Sequence, residues 1–182
     1  RTQLAGAGLQ PAALAFGGTP PTTGKTESWN GTNWTEVNDL NTARRLVAGG
    51  GTNTAALATG GFGPPTYDNT ESWNGTNWTE VNDLGTARYQ IAFAGTQTSA
   101  LAIGGGSAPA GPSATEQWNG TNWTEKNDLN TGRNYLAAAG RSTTAANALA
   151  FAGDSGSRTG ATEEWVGPGA PVGAWSTGGT LP

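Results

Sequence analysis

The chain has no cysteine and no histidine among its 182 residues. Without cysteine there is no disulfide framework and no thiolate chemistry, and the redox compartment stays undetermined. Without histidine there are no imidazole metal sites, no Ser-His-Asp or Cys-His catalysis, and no use of the commonest general base. Charge is also scarce: Lys and Arg number 9 against 13 Asp and Glu, for a net charge of −4 and a pI near 4.7. No basic run exists, which excludes nucleic acid as the expected partner. No apolar stretch approaches the ~18 residues of a membrane-spanning helix, and no signal peptide is evident, so no membrane insertion is expected. A chain opening on Arg1 rather than Met reads as processed or trimmed.

Hydrophobic residues make up only 35%, many of them Ala, whereas glycine reaches 30 residues. That is well above the usual ~7% for glycine. There is no Gly-X-Y period, so collagen is excluded, and eight regularly spaced Trp argue against disorder.

What the chain does have is a repeat. "TESWNGTNWTEVNDL" begins at Thr26 and again at Thr70, and "TEQWNGTNWTEKNDL" begins at Thr115. The first Trp of each unit falls at Trp29, Trp73, Trp118 and Trp165, at intervals of 44, 45 and 47. Arg1, Arg44, Arg88 and Arg133 run in phase, as do "AALAFGG", "AALATGG", "SALAIGG" and "NALAFAG". The expected organisation is one domain of four units, 1–41, 42–85, 86–130 and 131–182.

Each unit spells four short strands: "RLVAGG" or "YQIAFAG", then "AALATGG", "TESW" and "WTEVNDL". A loop of variable length, rich in Pro, Gly and Ser, joins the second to the third. Asn-Gly between extended segments is a strong hairpin signal. Four strands of ~5–6 residues with their turns fill the interval, and no segment shows a capped 3.6 period. The class is all-β. A four-stranded meander repeated radially gives a β-propeller, with sheet faces buried between neighbours. A closed four-membered ring is the preferred expectation, and part of a larger ring completed by other repeats or subunits is the alternative. The fourth unit departs from the others, with "TEEWVGPGAPVGAW" in place of "TESWNGTNW".

The order of a Gly pair followed by two Trp (Gly17-Gly18 with Trp29 and Trp34; Gly60-Gly61 with Trp73 and Trp78; Gly104-Gly105 with Trp118 and Trp123) resembles kelch-like propeller repeats. The Trp stands where kelch repeats usually carry Tyr, and the spacing of five is slightly short. WD40 is not matched, since no His and no Trp-Asp occurs. The wording "ESWNGTNWTEVNDLNTAR" is also similar to repeats in virion and tail-fibre proteins of marine phages. The resemblance implies a virion or extracellular surface location and other structural subunits as partners. Copper-radical chemistry of the kind found on some kelch propellers lacks its Cys and His ligands here.

Several residues invite a functional reading. In the hairpin, Trp29 faces Trp34, Trp73 faces Trp78, and Trp118 faces Trp123, with Glu27, Glu71 and Glu116 on the same faces. One reading is aromatic packing between sheets. The other is a carbohydrate platform, with a Trp face stacked on a pyranose and Glu or Asn bonding its hydroxyls. The pairs Glu27/Glu36, Glu71/Glu80 and Glu116/Glu125 have glycosidase-like chemistry. Because they repeat, they read instead as a solvated charged edge. Asp39, Asp83 and Asp128, shortly before Arg44, Arg88 and Arg133, fit either a repeated ion pair or a carboxylate-to-backbone turn. Six Asn-x-Thr sequons (Asn30, Asn33, Asn74, Asn77, Asn119, Asn122) crowd into the tight turns and read as turn residues rather than glycan acceptors. Runs such as "AGGGT" lack the context of a phosphate loop.

The expectation is therefore a non-enzymatic structural or adhesive module that needs no cofactor or metal. Surface glycans would be its ligands, held multivalently by the Trp hairpins and the variable loops. A scaffold or spacer with internal Trp is the competing class. An enzyme would need an unmatched acid pair near Tyr67, Asp68, Asp154 or Glu164.

Overall fold

The computed structural model describes residues 1–106, 112–140, 147–166 and 174–181. Every regular element among them is a β-strand. The strands form four antiparallel four-stranded sheets, each a meander in chain order. Sheet 1 holds β1 (Ala5–Leu9), β2 (Ala12–Phe16), β3 (Thr26–Trp29) and β4 (Trp34–Val37). Sheet 2 holds β5 (Ala48–Gly51), β6 (Ala56–Phe62), β7 (Thr66–Trp73) and β8 (Trp78–Val81). Sheet 3 holds β9 (Ala92–Gly95), β10 (Ala100–Ile103), β11 (Thr115–Trp118) and β12 (Trp123–Lys126). Sheet 4 holds β13 (Ala137–Ala139), β14 (Asn147–Phe151), β15 (Ala161–Val166) and β16 (Ala174–Thr180). Each sheet falls inside one sequence repeat. The chain divides into two compact units, Arg1–Tyr89 with sheets 1 and 2, and Gln90–Pro182 with sheets 3 and 4. Residues 107–111 of a variable loop and the "GPGAPVG" segment 167–173 of the departing fourth unit lie outside the described residues.

The outer hairpins form as the repeated sequence requires. Trp29 lies opposite Trp34, Trp73 opposite Trp78, and Trp118 opposite Trp123, each across a four-residue Asn-Gly-Thr-Asn loop. The Asn30 side-chain oxygen accepts from the backbone N–H groups of Thr32 and Asn33, both at 2.9 Å, and Asn74 and Asn119 repeat the pattern. Gly31, Gly75 and Gly120 carry φ of 93°, 95° and 96° in these loops, a conformation costly for any residue with a Cβ. Asn and Gly at these positions are thus accounted for by the backbone alone.

The fourth strand is shorter than the sequence led us to expect. It stops at Val37, Val81 or Lys126, and "NDL" leaves the sheet. The Asp of that tripeptide accepts the backbone N–H that opens β3 or β11: Asp39 from Thr26 at 3.0 Å, Asp128 from Thr115 at 3.3 Å. Asp83 does the same for Thr70 within β7, at 2.9 Å. The Leu then donates its own N–H back across the sheet edge, as Leu40 does to the Gly24 carbonyl at 2.9 Å. Of the two readings open for these Asp residues, the carboxylate-to-backbone turn is the one observed.

Alternation gives each sheet two faces. The leading face of sheet 1 carries Ala5, Ala7, Leu14 and Phe16, and it packs on the trailing face of sheet 2, which carries Ala56, Ala58, Trp73 and Trp78. In the second unit Ala92, Ala94, Leu101 and Ile103 lead from sheet 3 onto Ala148, Ala150, Trp165 and Trp175 of sheet 4. Beside each interface the Leu of "NDL" meets an aliphatic residue that precedes the next sheet, Leu40 with Val47 and Leu129 with Leu136. Small and large side chains are matched across the interface. Phe16 opposes Gly49, where an added Cβ would lie 2.7 Å from the ring and 2.4 Å from the Leu57 carbonyl oxygen. The equivalent pair in the second unit is Ile103 with Ala138, both in its core. Gly49→Ala is accordingly expected to destabilise the first unit by about 1–3 kcal/mol through overpacking, measured by equilibrium urea unfolding.

Candidate functional site

Two jobs are visible among the hairpin Trp. In the first three hairpins the first Trp ties its strand to the turn between the first two strands of its sheet. Indole N–H groups donate from Trp29 to the Gln10 carbonyl (3.0 Å), from Trp73 to Asn53 (3.1 Å) and from Trp118 to Gln97 (2.8 Å). Within each unit, the second Trp of the later hairpin reaches the preceding sheet. Trp78 donates to the Thr26 hydroxyl at 3.0 Å and stands edge-on to Phe16, ring centroids 4.9 Å apart. Trp175 donates to the Thr115 hydroxyl at 3.1 Å. Within pairs the rings sit 5.3–5.5 Å apart and tilted. Trp73 and Trp118 are each 2% exposed, and Trp78 is also buried. Their ring faces are taken up by the sheets. Trp29 and Trp123 are half-buried, and Trp34 is 50% exposed.

The acids on the same faces are not all a solvated edge. Glu71 and Glu116 are buried, as is Glu163 in the fourth unit, and this corrects the expectation drawn from their repetition. The reason lies in the in-phase Arg. Arg44, fully buried, places Nη1 2.9 Å from Glu71 Oε1 and donates Nη2 to the Ala58 carbonyl at 3.3 Å. Glu71 Oε1 also accepts the Thr42 N–H at 3.3 Å, while Oε2 accepts both the backbone and the side-chain N–H of Asn41, at 2.7 and 2.8 Å. Four donors therefore converge on one carboxylate. In the second unit Arg133 Nη2 pairs with Glu163 Oε1 at 2.9 Å, and Asn130 repeats the two donations to Oε2 at 2.7 and 2.8 Å. Burial pushes both guanidinium groups below their ordinary value, with the neighbouring carboxylate opposing it. The Nε atoms of Arg44 and Arg133 are buried without a partner, a cost the constellation carries. In sheet 1 the same pair, Arg1 with Glu27 at 2.7 Å, is part-exposed.

The outer acids Glu36, Glu80 and Glu125 remain at the exposed edge. Glu36 pairs with Lys25 at 2.7 Å, and Glu80 accepts from the Asn69 amide at 2.6 Å. An edge strand studded with charge discourages pairing with a further strand.

A catalytic arrangement would need convergent acids or a nucleophile with its base. Among the described residues no three His, Cys, Asp or Glu side chains cluster as metal ligands would. One cleft of ≈ 570 Å³ in the second unit is lined by Tyr135, Ala152, Gly153, Asp154, Arg158 and Thr159. Asp154 Oδ1 accepts the Gly156 N–H at 2.8 Å, so that oxygen stabilises its own loop. Asp68 and Glu164 do not line this cleft. Reading the sequence alone missed the Arg-Glu-Asn constellation, although the phase shared by Arg and Glu in every unit was its signal. It also missed the Trp-to-Thr bond between sheets, which leaves no local trace. Compared with protein-family models and with curated protein sequences, the chain matches none.

Proposed function

We propose that the protein is a non-enzymatic structural module, a kelch-like β-propeller whose sheets are blades, displayed on a virion or another extracellular surface. It works as a scaffold or spacer among other structural subunits. The observation that carries this reading is how the repeated side chains are used. The buried Trp join sheets, the Arg-Glu-Asn groups lock the crossings between them, and the Asn-Gly loops turn the chain. Among the described residues, the buried side chains of the repeat are thereby used in holding sheets together and turning the chain.

One observation favours a second reading, the adhesive one. Trp29 and the half-exposed Trp34 share a face with Glu27 and Glu36, the combination of flat ring and polar flank that suits a pyranose. A glycan array probed with the folded chain and with Trp34→Ala separates the two. A scaffold binds no sugar on the array. Binding of a defined sugar class, lost in the variant, replaces the scaffold reading with a lectin-like one.

A further inference from the structure

The hairpin loops bring together the parts of a reaction between the chain and water. Each places an Asn side chain directly before a glycine: Asn30-Gly31, Asn74-Gly75 and Asn119-Gly120. All of these residues are exposed, so water and hydroxide reach them. Asn30 Oδ1 accepts two backbone N–H groups, from Thr32 and Asn33, both at 2.9 Å. Asn74 and Asn119 hold the same pair of donors at 2.8–2.9 Å. Two N–H groups aimed at one carbonyl oxygen make its carbon more electrophilic and stabilise negative charge on the oxygen, as an oxyanion hole does. The N–H groups of Gly31, Gly75 and Gly120 make no hydrogen bond among the described residues. Each of these nitrogens leaves its proton open to base, and with no Cβ beside it its approach to the Asn side chain is unhindered.

We propose that these loops are self-modifying sites: Asn30, Asn74 and Asn119 lose ammonia through attack by the following glycine nitrogen, and Asn30 reacts ahead of Asn74. Hydroxide removes the Gly31 amide proton, and the nitrogen attacks Asn30 Cγ. The new C–N bond closes a ring, and the charge passes to Oδ1, where the Thr32 and Asn33 N–H groups meet it. Collapse of this intermediate, with a proton from water, breaks the Cγ–Nδ2 bond and releases ammonia, leaving a succinimide. Water then opens the ring at either carbonyl, giving aspartate or isoaspartate at position 30. The net change is one water consumed and one ammonia released. Full conversion takes the net charge from −4 to −7, one negative charge for each of the three loops. Isoaspartate also adds one carbon to the main chain between the paired Trp29 and Trp34.

The order follows from what holds each loop within the first unit. Both sites sit in the identical stretch "SWNGTNWTEVNDL", so local sequence does not separate them. Ring closure swings the Asn-Gly peptide out of the turn, and a contact that fixes the loop therefore slows it. Asn38, just past β4, donates Nδ2 to the Thr76 carbonyl at 3.0 Å and to Asn77 Oδ1 at 2.7 Å, which clamps loop 74–77. Among the described residues of sheets 1 and 2, no side chain clamps loop 30–33 in this way. The chemistry is independent of whether the chain serves as a scaffold or binds a sugar.

Incubating the folded 182-residue chain in heavy-oxygen water at mildly alkaline pH, followed by peptide mass spectrometry, tests this. Heavy oxygen enters the new carboxylate only when the ring opens during the incubation, which separates the reaction from changes during digestion. Conversion is expected at all three loops, with isoaspartate among the products, and faster at higher pH because the glycine amide must lose its proton. Asn74 is expected to react about tenfold more slowly than Asn30, the effect of two hydrogen bonds on the barrier. Asn38→Ala, checked for folding by urea unfolding, is expected to bring Asn74 up to the Asn30 rate and to leave Asn30 unchanged. In guanidinium chloride the unfolded chain is expected to convert at the same rate at both sites. A folded chain whose loops keep their amides while the unfolded chain converts overturns the proposal, because the turn then protects the asparagines. Equal rates at Asn30 and Asn74 in the folded chain overturn it too, as does an Asn38→Ala chain in which Asn74 stays slow.

Discussion

Glu71→Gln is expected to lower the stability of the first unit by about 3–5 kcal/mol, read by urea unfolding, even though it removes no atom of bulk. Four donors meet the carboxylate: the Asn41 and Thr42 backbone N–H groups, the Asn41 amide and Arg44 Nη1. A glutamine keeps one acceptor oxygen and turns an NH₂ on two of those donors. It also leaves the Arg44 cation buried without its counter-charge, in a site where burial already disfavours the charged form. Arg44→Met is expected to cost a similar amount, since it strands the carboxylate instead. The double change Arg44→Met with Glu71→Gln removes both charges, and the loss is expected to fall short of the sum of the two singles. The internal control is Glu27→Gln. Its pair with Arg1 has the same chemistry and a 2.7 Å separation but is part-exposed, and the expected change is under about 1 kcal/mol. Equal losses at Glu27 and Glu71 would mean that burial is not what gives the pair its weight.

Much of the architecture was legible because it is written in local signals. Asn30-Gly31 fixed a hairpin, the period of about 44 residues fixed four units, and strand alternation put Trp29, Trp34, Glu27 and Glu36 on one face. The Asp before each Arg was legible as a turn residue but not distinguishable from an ion-pair partner, because both readings use the same spacing. The burial of Glu71 was not legible. Repeated acids on an edge hairpin look solvated until the crossing segment Asn41–Arg44 is folded over them, and that depends on where the next sheet begins. The same holds for Trp78, the second Trp of its pair, and for Trp175. The environment is set by a residue 52 positions earlier in one case (Thr26 for Trp78) and 60 in another (Thr115 for Trp175). Identical words in the sequence thus acquire different physics from their neighbours.

That difference predicts two unequal outcomes from one substitution. Trp78→Ala removes a buried indole that stands edge-on to Phe16 at a 61° interplanar angle, sits 5.3 Å from Trp73, and donates to the Thr26 hydroxyl. It would open a cavity between sheets 1 and 2, take away the ring that Phe16 and Trp73 both pack against, and leave a buried hydroxyl without its donor. The expected loss is about 3–5 kcal/mol, the usual range for truncating a large buried aromatic. Trp78→Phe should recover part of this by filling the space, but not the bond to Thr26. Trp34→Ala, in the same "NGTNWTEV" context, removes a ring that is half exposed and stands 5.5 Å from Trp29. There the expected loss in the dilute chain is about 1 kcal/mol. Urea unfolding measures both. If Trp34→Ala costs as much as Trp78→Ala, burial of the ring is not what sets the loss, and the difference in exposure between the two Trp carries no weight in stability.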